Sequence, residues 1–195
     1  PEQYDSFKAL IAEYHDRVRQ VVDLGVEIIR EVLGRVDVRT LRGAIIATPV
    51  VNVFGFIEQS RYLPDGRDLN RSFPGSSRGS LASQLAKIFM DEVVAQSDLG
   101  IDLHTAAGHR INIPQVRGDL DDPETLRLAT AFGAPFIIDA RLRDGSVRMA
   151  ATKRKVPVLL YEAGQIELAV QRQHRVSINH RVTALLASYF DIVFA

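Results

Sequence analysis

The feature that most constrains the fold of this 195-residue chain is the alternation of short apolar runs with segments of helical pattern. Runs of strand length predict strands at residues 44–51, 99–105, 135–140 and 156–164. This alternation is typical of an α/β fold with a mostly parallel or mixed central sheet flanked by helices. In such sheets the functional site lies outside the carboxyl ends of the strands, so we look for chemistry there.

Helices are predicted from apolar periodicity, from capping residues and from glycine breaks. Ser80 and the Asp122-Pro123 pair are helix-start signals. The predicted helices cover residues 4–23, 26–33, 80–96, 122–132, 145–154 and 167–189. Residues 52–78 instead hold many Gly, Pro, Asp, Asn and Ser, which predicts a long functional loop. We divide the chain into an N-terminal helix, 1–24, and an α/β domain, 25–195.

Composition narrows the classes of function. Lys plus Arg and Asp plus Glu both number 24, and this zero net charge argues against a nucleic-acid or membrane-surface partner. The absence of Cys excludes disulfides and a thiol nucleophile. No apolar run of ~18 residues and no signal peptide is visible, so we expect a cytoplasmic location. Any metal must be bound by carboxylates and by the five histidines, which are His15, His104, His109, His174 and His180.

Two predicted strand ends carry reactive side chains. Asp102 and His104 lie two residues apart at the end of one strand, so they share a face. They could be a metal ligand with a supporting carboxylate, or only a hydrogen-bonded pair. Glu162 ends another apolar run, where partial desolvation suits general acid–base work. The alternative is a Glu that turns out to solvent where the strand stops.

The long loop carries a candidate anion site. Arg61, Asn70 and Arg71 all lie in it. A guanidinium binds a carboxylate through a planar fork, and an amide adds a directional donor, so the set suits an anionic substrate. The alternative is a solvated loop in which Asp68 pairs with Arg67 or Arg71.

Together and in order, four segments resemble the succinylglutamate desuccinylase/aspartoacylase family of zinc carboxypeptidase-like hydrolases, over about residues 25–165. They are TPVVNVFGF, SRYLPDGRDLNRSFPG, IDLHT and VPVLLYEAG. Members of this family cleave an amide to release an acyl group and an amino acid or amine. The resemblance implies a Zn²⁺ cofactor with His104 as a ligand. It also implies Glu162 as the base acting on zinc-bound water, Arg61 as the group that polarises the scissile carbonyl, and Asn70 with Arg71 as the binders of a substrate carboxylate.

The chain departs from the family in its metal motif. The family supplies two of its three zinc ligands from a His-x-x-Glu motif, and this chain contains none. Three explanations are open. Residues could be missing from the sequence at Leu24–Gly25, the protein could be a shortened or degenerate member, or His15 could be recruited as a ligand.

Three functional hypotheses follow. The first is a zinc-dependent amidohydrolase whose partner is a small N-acyl amino acid or N-acyl amine. The second is a non-catalytic protein of the same fold that binds a carboxylate ligand, since the His-x-x-Glu motif is absent. The third is an interaction module in which the helices over 4–23 and 167–189 bury apolar stripes against another subunit, as in a homo-oligomer.

Overall fold

The computed structural model describes residues 25–26, 28–58, 60–105, 112–163 and 192–194. The helices predicted over 4–23 and 167–189 lie outside these ranges, as does the boundary predicted at residue 24. The third hypothesis therefore stays a prediction.

The described residues form six strands and five helices. The strands are β1 (Ile45–Ala47), β2 (Leu99–Thr105), β3 (Gln115–Gly118), β4 (Phe136–Asp139), β5 (Val158–Ala163) and β6 (Ile192–Phe194). The helices are α1 (28–35), α2 (Val53–Ile57), α3 (Leu81–Glu92), α4 (Pro123–Phe132) and α5 (Val147–Thr152). Among the described residues, no helix combines the length and the apolar character needed to cross a bilayer.

The six strands form one mixed sheet in the order β1-β6-β2-β5-β3-β4. Every neighbouring pair is parallel except β3 and β5, which run antiparallel. The predicted α/β class, with a mostly parallel or mixed central sheet flanked by helices, is confirmed. The register pairs His104 with Glu162 across β2 and β5, so the two strand-end candidates are direct neighbours.

Short polar side chains start the helices that flank this sheet. Ser80, Asp122 and Ser146 each accept a hydrogen bond from the backbone N–H three residues further on. These bonds satisfy amide groups that have no partner within the helix, so the starts predicted at Ser80 and Asp122 are confirmed. The helix predicted to reach residue 96 ends earlier, at Glu92, and a 3-10 turn follows it at Val94–Gln96.

Residues 44–78 contain different regular structure from that predicted. The strand predicted over 44–51 has only the three residues of β1 in the sheet. The predicted loop contains α2 and a 3-10 turn at Leu69–Arg71. The Oδ1 atom of Asn52 accepts a hydrogen bond from the Gly55 N–H at 2.9 Å, which lets so short a helix begin.

Apolar clusters cover both faces of the sheet. Leu159 and Tyr161 of β5 are buried in one cluster, whereas Val158 packs against the other. Side chains along a strand alternate between faces, so Glu162 lies on the face of Val158, where α3 and α5 pack. On that face, the polar residue Glu162 follows the strand residues that pack against the apolar cluster.

Candidate active site

One half of the candidate site lies at the carboxyl ends of β2 and β5. The Nε2 atom of His104 is 2.9 Å from Oδ2 of Asp102, which confirms that the two side chains share a face and pair. The His104 side chain is 31% exposed, so the ring is partly open to solvent. Because Nε2 is engaged, Nδ1 is the ring nitrogen left for a metal or a substrate.

The charges around His104 connect the two halves of the site. Burial lowers the pKa of the imidazole, but the charge and hydrogen bond of Asp102 and the charge of Glu162 outweigh it. The pKa of His104 is therefore raised above its ordinary value, although the charge of Arg61 acts in the opposite direction. Arg61 is thus the loop residue whose charge acts on His104.

Glu162 is held by two residues that sequence reasoning missed. Its side chain is 14% exposed, so the expected partial desolvation is confirmed. Its Oε2 atom lies 3.3 Å from Nη2 of Arg117 and also accepts a hydrogen bond from Nδ2 of Asn112. In the sequence, Gln115 and Arg117 alternate with apolar or small residues, which could have indicated a strand. That alternation could not show that this strand, β3, lies beside β5.

The other half of the site is the loop around Arg61. The Nε and Nη2 atoms of Arg61 donate to Oδ2 of Asp68 at 3.0 and 2.8 Å. The second oxygen of Asp68 accepts the backbone N–H of Asn70 at 2.9 Å. One carboxylate thus ties Arg61 to the Leu69–Arg71 turn. The alternative in which Asp68 pairs with Arg67 or Arg71 was wrong.

Asn70 has a structural role in addition to its predicted role of binding a substrate carboxylate. Its Oδ1 atom accepts the backbone N–H of Val147 at 3.0 Å, in the first turn of α5. The Nδ2 amino group is therefore the part of the amide left for a substrate carboxylate. Arg71 is exposed and donates through Nη1 to the backbone oxygen of Asn70.

Gly145 allows this turn to approach α5 closely. Its φ angle is 75°, and a Cβ atom placed there would lie 2.6 Å from the backbone oxygen of Arg71. Its own carbonyl accepts the Phe73 N–H at 3.0 Å. Any side chain at residue 145 would push the turn away from its position.

A buried arginine lies near the strand-end half. Arg148 is 8% exposed, and its Nη2 atom is 3.4 Å from the backbone oxygen of Arg141. Burial lowers the pKa of its guanidinium, while the charge of Asp102 opposes this and the charge of Arg117 adds to it. Among the described residues, no acceptor lies within hydrogen-bond distance of its Nη1 atom. Sequence reasoning missed this residue too.

The described residues supply part of a zinc site. A catalytic zinc usually takes three protein ligands and keeps a fourth position open. Within the described ranges, no group of three or more His, Asp or Glu is placed to bind one metal ion. His104, supported by Asp102, fits one ligand position. The other four histidines lie outside the described residues, so this part of the chain does not form a complete site.

The fold and the site together define an α/β domain with a His–Asp pair, a partly buried Glu and an arginine loop at one edge of its sheet. The chain belongs to the succinylglutamate desuccinylase/aspartoacylase family, whose catalytic domain matches residues 24–189. The resemblance inferred from the four sequence segments is thereby confirmed.

Particular relatives share parts of this chain. An N-alpha-acetyl-L-2,4-diaminobutyric acid deacetylase from Halomonas elongata is 34% identical over 120 residues, covering 58% of this chain and 35% of that protein. The crystal structure of a succinylglutamate desuccinylase/aspartoacylase from Rhodobacter sphaeroides is 26% identical with a TM-score of 0.68, covering 85% of this chain and 51% of that chain.

A third relative shows the fold alone. The product-bound ectoine utilization protein EutE (DoeB) from Ruegeria pomeroyi is 19% identical with a TM-score of 0.73, covering 87% of this chain and 56% of that chain. Across the three relatives, the chain therefore spans between 35% and 56% of their length.

Proposed function

We propose that this protein is an amide hydrolase that removes the acyl group from a small N-acyl amino acid or N-acyl amine. Membership of the family and the similarity to a deacetylase support this class of reaction. The observation that carries the proposal is the pairing of His104 with Glu162 at neighbouring strand ends, within reach of the charge of Arg61.

Each side chain has a role in this proposal. Glu162 takes a proton from the water that attacks the carbonyl carbon and returns it to the leaving nitrogen as the C–N bond breaks. Arg61 stabilises the negative charge that develops on the carbonyl oxygen, which is worth roughly 3 kcal/mol in comparable sites. The amino group of Asn70 and the guanidinium of Arg71 bind the substrate carboxylate, with charge-assisted bonds from the guanidinium.

We further propose that zinc is the cofactor and that His104 is one of its ligands. The remaining ligands would have to come from residues outside the described ranges. When bound, zinc acts as a Lewis acid and lowers the pKa of its water to about 7. The Asp102–His104 hydrogen bond supports this assignment, because a metal-binding histidine usually donates its other N–H to a carboxylate.

The test is hydrolysis of a substrate panel by the purified 195-residue chain, with and without added Zn²⁺. The panel contains N-acetyl and N-succinyl amino acids, and N-acetyl amines that lack a carboxylate. We expect amine release, and we expect Glu162→Gln to lower kcat by about 10³-fold, within the usual range for a general base. Glu124→Gln is the matched control, because Glu124 is hydrogen-bonded to Arg127 on the surface of α4. Equal rates for the wild type and Glu162→Gln would contradict the proposal.

A second candidate function is binding of a carboxylate ligand without hydrolysis. The absence of a His-x-x-Glu motif, and of a three-ligand group among the described residues, favours it. In this case calorimetry would show an N-acyl amino acid binding in the presence of a chelator, and Arg71→Ala would abolish that binding. Amine release by the wild type would exclude this candidate.

A further inference from the structure

An ion pair and a hydrogen bond converge on one oxygen of Glu162. Nη2 of Arg117 lies 3.3 Å from Oε2, and Nδ2 of Asn112 donates to the same atom. Among the residues that the structure describes, none donates a hydrogen bond to Oε1. One oxygen of the carboxylate is therefore fixed by the protein, and the other is left for a ligand.

The strand arrangement explains how Arg117 reaches Glu162. Gln115 is directly opposite Glu162, and Arg117 is opposite Leu160, two residues before Glu162 in β5. A diagonal neighbour in an antiparallel pair is about 7–8 Å away, which a long side chain spans. This contact exists because β3 runs antiparallel to β5.

Both side chains of this ion pair are partly buried. The Arg117 side chain is 32% exposed and that of Glu162 is 14% exposed, so neither charge is fully hydrated. Within the described part of the chain, the buried Nε atom of Arg117 has no acceptor. Among the described residues, the charge of Arg117 is therefore compensated by its ion pair with Glu162.

We propose that Arg117, with Asn112, is a positioning residue that pins Oε2 of Glu162 and so presents Oε1 to the substrate. This inference rests on the proposed function, because Glu162 is the base there. A carboxylate held at one oxygen cannot rotate freely about its last bond. Since misplacement of a catalytic group by about 1 Å can cost about 10²-fold in rate, this restraint matters for turnover.

The kinetic test compares variants of Arg117 with a matched control. We expect Arg117→Gln to lower kcat by about 10- to 100-fold, the usual range for groups that support a reacting side chain. KM should stay within about threefold, because Arg117 does not contact the substrate in this arrangement. Arg117→Lys should restore part of kcat, since it keeps the charge but not the planar fork.

Arg154→Gln is the control for loss of a partly buried arginine. Nη2 of Arg154 lies 3.2 Å from Asp91, and its side chain is 35% exposed, which matches Arg117 closely. Its kcat should equal that of the wild type. Asn112→Ala is a second variant, at a residue outside the strands, and it should also lower kcat. It tests the proposal if Arg117→Gln does not fold.

A crystallographic test separates this inference from the proposed function. In the wild type, Oε2 of Glu162 should contact both Arg117 and Asn112, and in Arg117→Gln the carboxylate should rotate or lose its ordered position. An unchanged carboxylate in Arg117→Gln would overturn the positioning role even if the enzyme is active. If the wild type hydrolyses nothing in the panel, the proposed function fails, and the carboxylate orientation still decides the role of Arg117.

Discussion

The two halves of the candidate site are held in place by different forces. His104 and Glu162 are set by the register of β2 and β5, whose other face carries residues such as Leu159 and Tyr161 that are buried in an apolar cluster. Arg61 and the Leu69–Arg71 turn are set instead by a few polar contacts and by one close backbone approach.

This difference predicts which half of the site is more sensitive to single substitutions. The backbone of His104 can move relative to that of Glu162 only if the pairing of β2 with β5 changes. By contrast, each hydrogen bond that positions the loop contributes only about 0.5–1.5 kcal/mol. We therefore expect single substitutions to disturb the loop around Arg61 while the strand ends keep their geometry.

The largest expected effect is at Gly145. Gly145→Ala combines the strain of an L-residue at a φ of 75° with a clash against the backbone of Arg71. We expect a loss of about 3 kcal/mol in the free energy of unfolding, from left-handed strain and overpacking together. KM for a carboxylate substrate should rise, because the Asn70–Arg71 turn is displaced. Urea unfolding and steady-state kinetics measure the two effects.

Gly66 offers the matched control for that strain. Its φ angle is 73°, but a Cβ atom there would have no neighbour within 4 Å. Gly66→Ala should therefore cost only about 1 kcal/mol and leave KM unchanged. If both alanine variants behaved alike, the close approach to Arg71 would not be what positions the turn.

The next effect separates the two tasks of Asn70. Asn70→Ala removes the acceptor for the Val147 N–H and should cost about 1 kcal/mol of stability. Asn70→Asp keeps that acceptor but loses the amino group and adds a negative charge. We expect Asn70→Asp to keep the wild-type Tm while KM rises by about tenfold, or roughly 1.4 kcal/mol. An unchanged KM would show that the amino group does not meet the substrate.

The smallest effect is a pH dependence in the loop. The backbone N–H of Ala82 donates to Oδ2 of Asp65 at 3.1 Å, and this bond holds the pKa of Asp65 below its ordinary value of 3.8 despite partial desolvation. A carboxyl group whose pKa is lowered by folding stabilises the folded state when the pH is above the ordinary pKa of that group. The stabilisation is lost as the pH falls through the lowered value.

Asp65→Asn should therefore be less stable than the wild type at pH 7, and the difference should shrink as the pH falls below about 4. Thermal unfolding across this range measures it. Asp121→Asn, at an exposed aspartate outside the loop, controls for the loss of one negative charge. A difference between Asp65→Asn and the wild type that does not depend on pH would contradict the assignment to the Ala82 bond.

The sequence by itself determined the local parts of this protein. The apolar runs at 99–105 and 156–164 and the caps at Ser80 and Asp122 were readable, because strand burial and helix capping depend on neighbouring residues. The resemblance carried by short motifs also named His104, Glu162, Arg61, Asn70 and Arg71 as candidates. Their chemical roles stay predictions until the variants are measured.

Only the tertiary structure decided which distant groups meet. That β3 runs antiparallel to β5, and so brings Arg117 to Glu162, depends on how the chain crosses the sheet. The hydrogen bond from the Val147 N–H to Asn70 joins residues 77 apart in sequence. Even within the loop, Asp68 pairs with Arg61, seven residues away, and not with its neighbour Arg67. Such contacts depend on the packing of the whole domain, and no local pattern of residues encodes them.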